Sequence, residues 1–350
     1  MTNPAQTSEP LAPRIPSRFE WLDAWRGLAV MWMIQTHCFN AFMDAEWTKW
    51  PSYHSLNYAN GLVAPSFLFI AGFVQGYAIR RVWDRGEIWQ ITRSRLLRLG
   101  LIFSLGYALR LPVLLSMIGK GNITQLLVDW LCVVDILSCL GASLACILGI
   151  ARICQNGKNF DRILALLACG CVILSPIAND WTHENPFVQL GLTWMNRNYD
   201  ALFPLLPWFG FAALGALFSR WRSPAKAFLI GSIVAFVFSR FLPPMGAAGN
   251  HVEPAFFMSR LGWVLLIGTG FACCRLLSAG KLLLLVGQKS LLFYIVHLQI
   301  IYAYLLNQPW LQTMPPVSKV ILSMILTFFG SFAVAWLVKM SASVIPRRSA

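Results

Sequence analysis

Charge is what this sequence has least of. Asp, Glu, Lys and Arg make up 12% of its 350 residues, where a soluble domain carries about 25%. No polar stretch is long enough to close a separate soluble core. Acidic residues are scarcer still, 14 against 28 Lys and Arg, which leaves a formal net charge of +14. That excess does not point to nucleic acid, because the basic residues fall between apolar segments, where they set orientation and meet anionic lipid. The nine cysteines include no CxxC pair and no zinc-ligand spacing, so neither a redox motif nor a metal centre is expected. Cys169, Cys171, Cys273 and Cys274 sit inside apolar segments. Cys132, Cys139 and Cys146 recur every seventh residue as a small-residue packing face. Internal repeats and low-complexity tracts are missing, as are the paired Gly/Pro-interrupted spans of an inverted-repeat transporter. The opening MTNPAQTSEPLAPRIPSR has no apolar signal-peptide core, so the first span is expected to remain as an uncleaved anchor.

What is present is apolar. Hydrophobic residues account for 57% of the chain and the mean hydropathy is +0.61. The expected fold is all-α: a polytopic membrane protein, a bundle of about ten transmembrane helices, each long enough for a hydrocarbon layer of about 30 Å. The expected spans are 21–42, 62–79, 96–117, 126–150, 163–178, 201–218, 227–241, 255–276, 282–306 and 317–340. Arg110, Asp129 with Asp135, and Lys289 interrupt the third, fourth and ninth of them. One transmembrane domain, 20–341, is flanked by a polar tail, 1–19, and a basic tail, 342–350. Lys and Arg alternate by loop. Arg14, Arg18, the run 80–98, Arg152, Lys158, Arg162, Arg220, Arg222, Lys226, Arg275, Lys281, Arg347 and Arg348 lie on one side, and mainly Lys49, Lys120, Arg197 and Lys319 on the other. The positive-inside rule then puts both termini in the cytoplasm. The expected location is a bacterial cytoplasmic (inner) membrane, with membrane lipids as neighbours; the oligomeric state is open.

The first span, LDAWRGLAVMWMIQTH, begins with Asp23 and Arg26, spaced i, i+3 on one helix face, and ends on His37. His37 lies eleven residues beyond Arg26, about 16 Å along the axis. An ionisable ring at such depth marks a functional-site candidate; a helix anchor and a packing His are the alternative. In WTKWPSYHSLNYANG, Trp47, Trp50 and Tyr53 read as interface aromatics, and His54 is placed to reach the mouth of a cavity beside His37. The run Arg80, Arg81, Arg85, Arg93, Arg95, Arg98 is denser than orientation requires and suits phosphate; a lipid-facing basic loop is the alternative. Arg110, Arg240 and Arg260 fall toward the outer ends of spans and require carboxylate partners or a wet cavity. Asp180, Glu184, Asp200 and Glu253 are the available partners, with His183 and His251 in the same outer loops. Together the three arginines suggest a polar acceptor site. His297 reads as a packing His within the ninth span.

Leu22-Asp23, Arg26-Gly27, Ala29 and His37 resemble the opening of the transmembrane acyltransferase superfamily, which includes acyltransferase family 3 and the heparan-alpha-glucosaminide N-acetyltransferase family. ANGLVAPSFLFIAGF (59–73), with its NGL and P-x-F-x-F-x-x-G pattern, is similar to the second helix. VDILSCLG (134–141) is similar to the fourth, FPLLPWFGFAALG (203–215) to bacterial heparan-glucosaminide-type members, and GQKSLLFYIVH (287–297) to a late helix ending in His. The resemblance implies an integral membrane enzyme that moves an acyl group, usually acetyl from acetyl-CoA, to a sugar hydroxyl or amine across the membrane. It implies Asp23, Arg26, His37 and His54 as catalytic candidates. The acyl-CoA phosphates would lie at Arg80, Arg81, Arg93, Arg95 and Arg98, and the acceptor near Asn60, Arg110, Arg240, Arg260 and His297. The chain departs from the pattern in holding two histidines: acyltransferase family 3 has the His that ends the first helix, matching His37. The heparan-glucosaminide enzymes have Asn there and a His before NGL, where His54 stands with slightly longer spacing. Either imidazole could take the acceptor's proton. A transporter or export component for a glycan or lipid precursor is the alternative function, with the intramembrane His and Arg residues as its path.

Overall fold

The computed structural model describes residues 19–43, 45–118, 123–199, 201–243, 253–273 and 280–344. Most of the two expected tails, with Arg14, Arg18, Arg347 and Arg348, lies outside these residues, as do Lys120, Asp200, His251, Cys274 and Arg275. All regular structure among the described residues is helical. In chain order the helices are α1 (Glu20–Phe42), α2 (Pro51–Asn60), α3 (Val63–Trp83), α4 (Arg93–Ala108), α5 (Leu111–Met117), α6 (Ile123–Cys132), α7 (Ile136–Cys154) and α8 (Gly157–Asn179). They continue with α9 (Pro186–Leu192), α10 (Leu205–Phe218), α11 (Pro224–Phe241), α12 (Pro254–Cys273), α13 (Lys281–Gln288) and α14 (Ser290–Leu298). A π-helical turn (Gln299–Tyr304), then α15 (Pro309–Gln312) and α16 (Pro316–Val344), complete the order.

Seven stretches among the described residues are long and apolar enough to cross a membrane: Pro51–Trp83, Ile136–Cys154, Gly157–Asn179, Pro224–Phe241, Pro254–Cys273, Ser290–Asn307 and Pro316–Met340. The sequence suggested about ten. The difference lies in three helices. α1 carries Asp23, Arg26, Gln35, His37 and Asn40, while α4 and α10 have only 16 and 14 residues.

The fourth expected span, 126–150, is corrected. The chain leaves the helix after Cys132 and re-enters at Ile136. Asp135 starts the new helix by accepting the Ser138 backbone N–H at 2.8 Å, an N-cap that satisfies one orphan donor of the first turn. Arg110 meets the other side of this break, donating to the carbonyls of Trp130 at 3.3 Å and Val133 at 2.5 Å. The third expected span is likewise broken between α4 and α5, and the ninth at Lys289.

α1 is the common wall of two cores. Its first half, with Leu22 and Trp25, packs into a cluster that includes Phe69, Phe73, Phe160, Phe211 and Phe228. Its second half, with Met33, Ile34, Cys38 and Phe42, packs with Val286, Phe293, Ile301 and Leu311. Lipid is as apolar as these side chains, so close backbone approach rather than water exclusion holds such helices together. Two contacts depend on it. A Cβ on Gly27 would strike the Leu283 carbonyl, and one on Gly287 the Asp23 carbonyl, so α1 and α13 touch backbone to backbone. Gly72 and Gly215 do the same between α3 and α10, against Ala212 and Phe69.

At the other end of α3, Arg80 donates to Asp161 at 2.5 Å, to Ser219 Oγ at 3.1 Å and to the Ala216 carbonyl at 3.3 Å. Arg220 reaches the second oxygen of Asp161 at 3.3 Å. The ends of α3, α8 and α10 are thereby tied through one partly buried carboxylate.

Candidate active site

Two of the polar residues that lower the hydropathy of α1, His37 and Asn40, face a hollow. Met33, Thr36, His37 and Asn40 recur at three- and four-residue steps, one face of the helix, and line a cavity of about 490 Å³. The end of α2 and the start of α3 contribute Asn60, Gly61, Val63, Ala64 and Phe67. α4 gives Ile102, the capped start of α7 gives Asp135 to Leu137 with Leu140, and α14 gives Ser290, Leu291 and Tyr294. Arg197, Leu202, Phe203 and Trp208 close it from the segment between α9 and α10 and the first turn of α10. Asn40 and Leu202 are exposed and mark its mouth.

His37 is half-buried. Its Nδ1 is 2.9 Å from the Tyr302 hydroxyl, and its ring centre is 5.1 Å from that of His297. The π-helical turn explains how both partners reach it. His297 and Tyr302 are five residues apart, about 140° around an α-helix, but i→i+5 bonding brings such residues toward one side. His297 is fully buried; its Nδ1 lies 2.9 Å from the Phe293 carbonyl, and its Nε2 has no partner among the described residues. Tyr294 stands edge-on to His297 while lining the cavity.

Arg197 is the cation of the cavity wall. It is partly buried and pairs with no carboxylate among the described residues. Burial pushes its guanidinium below the usual arginine value, and an arginine stays charged through such a shift. The wall therefore carries one guanidinium, Arg197, and one carboxylate, Asp135.

The structure separates several sequence candidates from this cavity. Asp23 and Arg26 pair at 3.3 Å, but Asp23 stands fourteen residues before His37, about 21 Å along the axis, and packs at the α1–α13 contact. His54 is exposed on α2 with its ring against Tyr53 and is not part of the cavity wall. Arg80 has its donors engaged, as described above. Arg95 lies over the Trp89 ring at 4.1 Å and donates to the Gln90 carbonyl; Trp89 is itself fixed by Gln155. Arg81 is half-buried, and Arg93 and Arg98 are exposed. None of the five lines the cavity.

Three of the four expected carboxylate partners of the outer arginines are not used, and the fourth, Asp200, lies outside the described residues. Among the described residues, neither Arg110, Arg240 nor Arg260 pairs with Asp180, Glu184 or Glu253. Arg110 uses backbone carbonyls, because a helix end offers unsatisfied acceptors. Arg260 donates to the Tyr58 carbonyl and lies 3.8 Å over the Tyr58 ring. Arg240 is exposed at the end of α11. Arg260 alone of the three touches the cavity wall, from behind Gly61.

Of the candidates, His37 and Asn60 share the cavity, and His297 backs His37. Tyr302, Tyr294, Trp32, Asp135 and Arg197 join them without having been singled out for this role. Asp135 interrupts an apolar run, a signal that could have marked it; the others give none. Among the described residues, no three His, Cys, Asp or Glu side chains gather as a metal site requires.

A family model described as "Heparan-alpha-glucosaminide N-acetyltransferase, catalytic" matches residues 18–252. The matched region holds His37, Asn60, Asp135 and Arg197; His297 and Tyr302 lie beyond it. No curated protein matches the chain.

Proposed function

The chain belongs to the heparan-alpha-glucosaminide N-acetyltransferase family, and from a membrane acetyltransferase of this kind we propose a specific reaction. It moves an acyl group, acetyl in the first instance, from acyl-CoA to a hydroxyl or amine of an envelope sugar or glycolipid. The observation that carries the proposal is His37, an imidazole held at Nδ1 by Tyr302 on the wall of a cavity of about 490 Å³. That volume falls in the range of small-ligand sites, about 300–1,000 Å³. With Nδ1–H donating to the Tyr302 oxygen, Nε2 keeps its lone pair for the acceptor. A tyrosine hydroxyl can donate or accept, and the proposed reaction uses the tautomer that carries the proton on Nδ1.

In the proposed reaction the acceptor O–H or N–H gives its proton to His37 as it attacks the thioester carbonyl. Enclosure of both substrates supplies the orientation. Asp135 accepts from sugar hydroxyls and Arg197 meets an anionic group of the bound substrates. Arg81, Arg93 and Arg98 remain candidates for the acyl-CoA phosphates or for lipid headgroups. The purified protein is expected to bind acetyl-CoA and to release free CoA from it, faster when glucosamine is added as acceptor. Calorimetry and thiol release check both, and a folded protein that neither binds nor turns over acetyl-CoA would sink the proposal.

The proposed setting is the bacterial inner membrane with both termini cytoplasmic, supported by the alternation of Lys and Arg between loops. The mouth of the cavity then opens outward. Single cysteines placed at Asn179 and Asn307, in a background without the nine native ones, are expected to react with an impermeant maleimide on intact cells. Those at Gly157 and Pro224 react only after permeabilisation. Labelling of Gly157 on intact cells reverses the orientation.

A further inference from the structure

Asn60 is bonded at one end only. Its Oδ1 accepts the Trp32 indole N–H at 3.0 Å. Its Nδ2 is buried without a partner among the described residues, in a side chain that is 6% exposed overall. An indole nitrogen can only donate, so Trp32 selects the carbonyl end of the amide. The orientation of an asparagine, commonly an assignment, is here fixed by chemistry. Trp32 lies outside the cavity wall, whereas Asn60 belongs to it together with His37. What remains unpaired is an NH2 group. Proteins seldom keep a buried donor unpaired without a use for it.

A second observation falls on the next residue. The Arg260 guanidinium occupies the space beside Gly61 where a side chain would begin, 2.9 Å from the position of a Cβ. It is held there by the Tyr58 carbonyl and ring, and no carboxylate pairs with it among the described residues. A positive charge thus stands directly behind the Asn60–Gly61 segment of the wall. A side chain at position 61 would displace the guanidinium.

We propose that Asn60 is the donor that receives the oxyanion formed during acyl transfer, with Trp32 as the positioning residue that turns its NH2 group to the ligand. Arg260 adds positive potential from behind Gly61. The inference rests on the acyl-transfer reading above. The acceptor oxygen or nitrogen forms a bond to the thioester carbon and its proton passes to His37. The carbonyl π pair moves onto oxygen, where the Asn60 N–H meets it. The pair then returns, the C–S bond breaks, and the CoA thiolate leaves and takes the proton back from His37. Donors fixed before reaction at the place where charge develops act most strongly in a site of low dielectric.

The test follows the carbonyl itself. Acetyl-CoA carrying ¹³C at the acyl carbonyl is bound to the intact solubilised protein, and its carbonyl stretch is read by isotope-difference infrared spectroscopy. The wild type is expected to lower that frequency relative to acetyl-CoA in water. Asn60→Leu, equal in side-chain heavy atoms and branching but without a donor, returns it toward the free value and lowers kcat by about 10²–10³-fold with KM little changed. Trp32→Phe, which keeps the ring and loses the N–H, gives a smaller shift in the same direction. A merely structural asparagine moves stability and leaves the band of bound acetyl-CoA unchanged. Wild-type protein that turns over acetyl-CoA with an unshifted carbonyl band overturns this inference alone, whatever the variants do. So do folded variants with wild-type kcat. Wild-type protein that binds no acetyl-CoA overturns the acyl-transfer reading, and this inference with it.

Discussion

Replacing His37 by alanine is expected to lower turnover of acetyl-CoA by about 10²–10⁴-fold, the usual contribution of a positioned general base, with acetyl-CoA affinity near that of the wild type. An interaction needed only in the transition state lowers kcat and kcat/KM together. In the wild type, the rate falls as pH drops, because a protonated imidazole cannot accept the acceptor's proton; in His37→Ala that acid limb disappears. His54→Ala is the informative companion. His54 sits on the exposed face of α2, apart from the cavity wall, so its loss is expected to alter KM at most. Tyr302→Phe frees the Nδ1 side of His37, with an intermediate loss of kcat as the ring loses the hydrogen bond that orients it. Steady-state kinetics from pH 5 to 9 on monodisperse protein checks all three. A folded His37→Ala enzyme with normal transfer, beside an inactive His54→Ala, moves the base to His54.

The second large effect is expected outside the cavity wall, at Gly287. Its missing side chain makes room for the Asp23 carbonyl, as that of Gly27 does for the Leu283 carbonyl. These obstacles are backbone atoms, which cannot rotate aside. Gly287→Leu must therefore push α13 from α1, and α1 is shared by both cores. Overpacking a well-filled contact costs about 1–3 kcal/mol or more, a large part of a total stability of about 5–15 kcal/mol. The expected result is a marked fall in Tm and loss of monodisperse protein, with kcat reduced because His37 rides on the same helix. Gly170→Leu is the control: nothing lies within 4 Å of a Cβ there, so its Tm stays near wild type. Gly287→Leu melting with the wild type would show that α1 and α13 do not depend on this contact.

The sequence by itself determined the solvent this chain folds in, the helical class, and the limits of several long helices. α1, α3, α8, α11, α12 and α16 end within a few residues of where hydropathy places them, because the length of an apolar run is set by the bilayer and read directly from composition. It also exposed His37, since a polar side chain among apolar ones stands out without any knowledge of its neighbours. The tertiary structure decided which faces meet. In lipid both the interior and the exterior of a bundle are apolar, so hydrophobic periodicity says little about which side of a helix faces protein. Hence the sequence leaves Arg110 and Arg260 a choice of carboxylates or a wet cavity, whereas the fold gives them backbone carbonyls at helix ends and turns and sets Arg260 against the cavity wall. Trp32, Tyr294 and Tyr302 carried no signal because aromatics are common in every span. Their partners, Asn60, His297 and His37, arrive from segments as much as 265 residues away along the chain. A break at Asp135 and a π-helical turn after His297 set the final directions, and both follow from local hydrogen bonds that only packing makes favourable.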